Sequence, residues 1–125
     1  MPRIFTIALC YIVTAMFLSS TAFAEKPVTQ DKDTQQAISY LIDVVTNSHL
    51  TFIRNGKKYS GKEAAEHMMD KYKYFKAQVK SPEDFIRLCA SESLLSGKPY
   101  RVETAHGIMP TRQWLTQILA QYRKS

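Results

Sequence analysis

Cysteine is all but missing from these 125 residues: Cys10 and Cys89 are the only two. Cys10 sits inside an N-terminal apolar run that reads as a removable leader, which leaves the mature chain one thiol. One thiol cannot staple its own fold, so stability has to come from packing. Cys89 follows Phe85 by one helical turn on an apolar stripe and reads as a small buried hydrophobe. His49, His67 and His106 stand at no metal-ligand spacing and no Cys/His cluster occurs, so neither a metal nor any other cofactor is expected. A G-x-S-x-G elbow and a phosphate-cradling glycine loop are both missing, which removes the common hydrolase and nucleotide-binding motifs. No block of five or six like charges appears, so the basic excess spreads over a solvated surface. There is also no low-complexity tract, no long linker and no sequence repeat.

What is present begins with an address. Arg3 precedes the apolar run "IFTIALCYIVTAMFL", and "SSTAFA" then offers Ala22 and Ala24 at the small-residue positions of a cleavage site. That layout predicts a secretory signal peptide over residues 1–24 and a periplasmic protein. A retained anchor would need about 20 apolar residues, so no membrane span is expected after cleavage. Residues 25–32, "EKPVTQDK", read as a disordered leader, and residues 33–125 as one domain of ordinary size. Losing Arg3 takes the formal charge from +6 to +5. A mildly basic exported protein is drawn to anionic envelope groups; nucleic acid is not an expected partner in that compartment.

Ile38, Leu41, Ile42 and Val45 recur at helical spacing, predicting a first helix from about Asp33 to Asn47. "LTFIR" and "KKY" flank Asn55-Gly56, the strongest short hairpin signal. Ser60 with Glu63 forms a capping box for a helix burying Ala64, Ala65, Met68, Met69, Tyr72 and Phe75. Ser81 and Pro82 start another, with Phe85, Ile86 and Cys89 inward and Gly97 and Pro99 as its stop. "YRVET" reads as a third strand, and Thr111 as the cap of a last helix bearing Trp114, Leu115, Ile118, Leu119 and Tyr122. The fold class is therefore α+β: a small three-stranded antiparallel sheet, hairpin plus one later strand, covered on one face by about four helices in the order α-β-β-α-α-β-α.

A two-residue turn sets Phe52 opposite Tyr59, Ile53 opposite Lys58 and Arg54 opposite Lys57. The last pair is like-charged, so Arg54 needs an acidic neighbour. Glu63, Asp84 or Glu103 could supply it internally; an anionic ligand is the other possibility. On the following helix, Glu63, His67, Lys71 and Tyr74 run along one edge of the apolar stripe, and Glu63–His67 and His67–Lys71 are i,i+4 neighbours. A carboxylate beside an imidazole orients it and raises its pKa. Ser93, if the helix from Pro82 continues, shares a face with Ile86 and Cys89.

"FIRNGKKYS", "EAAEH", "EDFI", "SGKPY" and the closing "WL" and "LAQYR" occur in an order that resembles the YfeK-like family of small exported bacterial proteins, a domain of unknown function. The likeness spans roughly residues 35–124. The resemblance implies a single-domain periplasmic protein and supplies no activity, cofactor or catalytic residue. Arg54, Tyr59, His67 and Ser93 fall within its motifs without a backbone reason to be there, so these four are the expected ligand-binding residues. Two functional classes follow. The first is a non-catalytic binding or interaction module that recognises an anionic group or an envelope protein. The alternative is a small hydrolase-like enzyme using Glu63, His67 and Ser93, which requires those three to converge. The weight falls on binding, and no catalytic residue is assigned.

Overall fold

The computed structural model describes residues 31–125; the leader expected over residues 1–24 lies outside them. Asp31 accepts a 2.6 Å hydrogen bond from the Thr34 N–H and caps α1 (Lys32–Asn47), which buries Ala37, Ile38, Leu41 and Val45. Asp31 and Lys32, assigned to the polar leader, thus belong to the domain, because a side-chain oxygen there satisfies an orphan helix N–H. The chain then forms β1 (Thr51–Arg54) and β2 (Lys57–Tyr59). Asn55 and Gly56 between them take φ of 50° and 75°, the left-handed pair that a tight hairpin demands. Phe52 faces Tyr59, Ile53 faces Lys58 and Arg54 faces Lys57, the register that turn dictates. Ser60 and Glu63 form the capping box that opens α2 (Gly61–Phe75).

The second half departs from expectation in four ways. Ser81 caps α3, and Pro82 begins it, but the helix spans only Pro82–Cys89 instead of running on to Gly97. Serine hydroxyls compete for backbone groups: Ser91 Oγ takes the Ile86 carbonyl at 2.6 Å. The segment beyond folds back on itself, Tyr100 N–H bonding Ser91 O at 3.0 Å and Gly97 N–H bonding Ser93 O at 2.9 Å. Next, β3 (Arg101–Thr104) is followed by an unforeseen strand, β4 (Gly107–Pro110). Gly and Pro are poor strand residues, yet Pro is tolerated on an edge strand, where no partner needs its N–H. Pro110, not Thr111, is the N-cap of α4 (Thr111–Lys124), and no side chain caps it. The sheet therefore has four strands, ordered β2-β1-β3-β4 and antiparallel throughout, and the element order is α-β-β-α-α-β-β-α.

That extra strand exposes a repeat the residues conceal. Each element of the second half starts 50 residues after its counterpart in the first: 82 against 32, 101 against 51, 107 against 57, 111 against 61. The caps keep step, Ser81 against Asp31 and Pro110 against Ser60. The join obeys the same relation, since Phe52 pairs across the β1–β3 seam with Val102, its own equivalent. The described residues thus form two αββα units related by a local twofold through that pair. No sequence repeat is visible because packing conserves which positions are buried, not which apolar residue fills them.

α2 and α4 lie against the sheet, and α1 and α3 pack on them. Phe52 and Val102 meet there a core that includes Leu41, Met68, Phe85, Cys89, Leu115 and Leu119. Phe52 stands edge-on to Trp114 at 5.7 Å, and Tyr72 edge-on to Phe85 at 5.6 Å, each pair adding about 0.5–1.5 kcal/mol beyond area burial. On the open face Lys58 reaches Glu103 at 3.2 Å. Among the described residues no helix is long and apolar enough to cross a membrane.

Candidate functional site

Arg54 ends β1 two residues after Phe52, and strand alternation points both toward the helices. Phe52 is buried; Arg54, at the margin, is half-buried. The next helix brings His67 up to it. Arg54 Nη1 lies 2.6 Å from His67 Nδ1 and 2.5 Å from Nε2, and Arg54 Nη2 donates to the Tyr59 hydroxyl at 3.3 Å. The guanidinium carbon sits 5.0 Å from the centre of the Tyr59 ring, a cation–π placement that favours the charge. Tyr100, buried at the end of the folded-back segment, approaches from the other side, its hydroxyl 3.2 Å from His67 Nε2. One helical turn beyond His67, the buried Lys71 donates to the Glu92 carbonyl at 2.7 Å and to the Tyr100 hydroxyl at 3.4 Å.

Two cations thus flank one imidazole and one phenol. A guanidinium can only donate, so His67 must accept from it and is held neutral. Its pKa is lowered, by burial first, then by Arg54 and Lys71, with Asp70 opposing. This reverses the expected effect of a neighbouring carboxylate, because Glu63 is turned away: its Oε2 accepts from the Ser60 N–H at 2.9 Å. Burial also lowers the pKa of Lys71 and raises that of Tyr100. Nor does any of the three acids considered for Arg54 reach it. Glu63 closes the capping box, Asp84 accepts from Arg87 at 3.2 Å, and Glu103 pairs with Lys58. Among the described residues, no carboxylate forms an ion pair with Arg54 or Lys71.

The cluster opens on a cavity of about 260 Å³. Arg54, Tyr59, His67 and Tyr100 line it together with the apolar Phe52, Ala64 and Met68, while Glu63, Glu66 and Asp70 line it from α2. Three of the four expected ligand-binding residues, Arg54, Tyr59 and His67, therefore share one cavity.

Ser93 is not among its lining residues. With α3 ended at Cys89, Ser93 lies in the folded-back segment, where its Oγ accepts from Asn55 Nδ2 at 3.2 Å. Ser96 Oγ donates to Asn55 Oδ1 at 2.5 Å, so both serines latch that segment to the hairpin tip. Glu63, His67 and Ser93 consequently bond three different sets of partners and form no relay. Tyr100 and Lys71 complete the cluster but were absent from the expected site. Lys71 stood in the same polar row as His67, and Tyr100 in the "SGKPY" motif; what sequence could not supply was the early end of α3 that brings Tyr100 across. Cys89 is fully buried, and burial raises its thiol pKa to about 11, which leaves it inert. No group of three or more metal-ligating side chains occurs among the described residues.

The fold and cavity define a small α+β domain of two αββα units, with a charged cleft built mainly from the first and closed by Tyr100 and Thr111 of the second half. The chain belongs to the family of unknown function DUF5329, which it matches over residues 32–123. It is similar to the uncharacterized protein YfeK of Salmonella typhimurium, 30% identical over 88 residues that make up 70% of this chain and 71% of that one. No solved structure matches it.

Proposed function

We propose that the chain is exported, loses its leader after Ala24, and serves in the periplasm as a non-catalytic binding module whose cleft takes an anionic group. The observation that supports this is the pair of cations at the ends of one polar cluster, half-buried Arg54 on the Tyr59 hydroxyl and buried Lys71 on the Tyr100 hydroxyl, with no carboxylate in an ion pair with either among the described residues. Removing cations from water is costly unless a counter-charge or a full set of acceptors replaces it. Arg54 has a neutral ring and a phenol for partners, so donors remain for a carboxylate or phosphate oxygen arriving from the cavity, the charge-assisted geometry guanidinium favours. His67, neutral and fixed, positions the guanidinium; Tyr59 and Tyr100 line the cavity beside it.

The test is retention of the purified protein by a periplasmic envelope fraction, followed by in vivo crosslinking to name what is held. Arg54→Ala, checked for folding by circular dichroism, is expected to weaken retention at least tenfold, as loss of one hydrogen bond to a charged group of about 1.5–3 kcal/mol requires. Retention that is unchanged in this variant overturns the reading, as does a native protein that is neither retained nor binds any small carboxylate or phosphate in titration calorimetry.

A further inference from the structure

The cavity holds unpaired charge of both signs, and this identifies its ligand more closely. This inference rests on the binding reading above. Arg54 lines one side; Glu63, Glu66 and Asp70 line the α2 side. Glu63 is spoken for by the capping box. Glu66 and Asp70 are exposed at the lip and, like Arg54, form no ion pair among the described residues. Acids and cation share one small space without meeting, because Arg54 is held back by His67 and Tyr59. A purely anionic ligand such as phosphate would reach Arg54 only by entering the field of those carboxylates. A ligand carrying its own ammonium group would be drawn by both ends.

The remaining walls agree. Thr111, at the start of α4, also lines the cavity, is fully buried, and its Oγ1 is the one buried side-chain oxygen among the described residues without a hydrogen-bond partner. An unpartnered hydroxyl in the wall of the cavity is free to serve a ligand's polar atom. Phe52, Ala64 and Met68 supply an apolar wall between the charged sides. The cavity's roughly 260 Å³ falls just below the 300–1,000 Å³ of drug-sized pockets, room for one small molecule and not for a polymer segment.

We infer that the Arg54 cavity binds a small zwitterion with an apolar side chain, an α-amino acid or its close analogue, its carboxylate on Arg54 and its ammonium on Glu66 and Asp70. Glu66→Gln with Asp70→Asn removes the ammonium contacts and leaves the hydrogen bonds of Arg54 and His67 and the core in place.

Titration calorimetry of the purified protein with alanine, valine, leucine, methionine and phenylalanine, in both enantiomers, tests this against their N-acetyl and amide derivatives. At least one free amino acid is expected to bind at millimolar affinity or better, with acetylation of the amine and amidation of the carboxylate each weakening it about tenfold or more. The Glu66→Gln/Asp70→Asn variant is expected to lose the preference for the free amine while keeping its affinity for the N-acetyl form. If N-acetyl derivatives bind as tightly as free amino acids, the zwitterion falls and the anion reading stands. If amides bind as tightly as acids, or if none of the compounds binds, the zwitterion falls, and the envelope-retention experiment then decides the anion reading by itself.

Discussion

At the place where the first αββα unit holds Arg54, the second holds Thr104; Tyr59 answers to Met109, His67 to Gln117 and Lys71 to Gln121. Both units build the same hairpin and the same helix from these different residues. In the second hairpin Thr104 serves the turn itself, its Oγ1 donating to Gly107 O at 2.8 Å and accepting from the His106 N–H at 3.2 Å. In the first hairpin Asn55-Gly56 makes the turn through positive φ, which frees Arg54 from any backbone duty. The units differ again before the third strand. Where α1 completes two more turns, α3 has ended, and the segment from Ser91 to Tyr100 fills the space. That segment carries Tyr100 to His67 and gives Lys71 the Glu92 carbonyl. The fold thus contains its own control: one backbone plan, with the charge in only one copy. What the second unit does without, the architecture does not require.

The largest effect should come from a position where the two units differ in room. Gly61 starts α2, and a Cβ there would run into the Val45 carbonyl oxygen at the end of α1. Its counterpart, Thr111, carries a full side chain that is completely buried. Gly61→Ala must push α1 away from α2, at a cost of about 1–3 kcal/mol, which lowers the melting temperature by about 4–8 °C per kcal/mol in a domain of this size. Thr111→Val keeps the volume and deletes a buried hydroxyl with no partner, so it should be neutral or mildly stabilising. Denaturant melts of the two variants give both numbers. A Gly61→Ala protein as stable as the native one would mean the α1–α2 approach is not tight.

A smaller effect is expected where the second unit supplies the replacement. Arg54→Thr with His67→Gln gives the first unit the residues of the second at those positions. Stability should stay within about 1 kcal/mol of the native protein, the usual range for substitutions that open no cavity and orphan no buried group, while ligand retention is lost. A loss beyond about 3 kcal/mol would assign the pair to the fold and break the comparison.

Much of this was legible beforehand, for local reasons. The Asn-Gly turn, the Ser60–Glu63 capping box and the Ser81-Pro82 start each act within four residues, so composition alone reveals them, and the hairpin register that isolates Arg54 follows from turn length. The failures were tertiary. Gly97 does take a left-handed φ of 67°, but in a folded-back segment and not at the end of a helix. The β4 strand is held by its partner β3, which outweighs its poor local propensity. Of the cavity, Arg54, Tyr59 and His67 could be read from position on strand and helix; Tyr100 and Thr111 depend on which segments the two units bring together.

The finest distinction between the units lies at one position, where the first has a group that titrates and the second does not. Gln117 has no proton to gain where His67 does. Burial, Arg54 and then Lys71 lower the His67 pKa, against the pull of Asp70, and Tyr100 supplies only a neutral hydroxyl at 3.2 Å. The unfolded chain therefore binds a proton near the ordinary histidine value of about 6.5 before the folded chain does. Stability is unaffected above that value, falls as pH drops from it to the lowered folded value, and is constant again, in this respect, below both. NMR titration should place the His67 midpoint below the ordinary value. Arg54→Thr should raise that midpoint by removing a facing positive charge, and Asp70→Asn should lower it. His67→Gln, which converts the first unit to the second at this one site, should flatten the same stretch of the stability–pH curve. A native midpoint at or above the ordinary value would mean that the imidazole is not held between the two cations, and the charge asymmetry between the units would lose its measurable consequence.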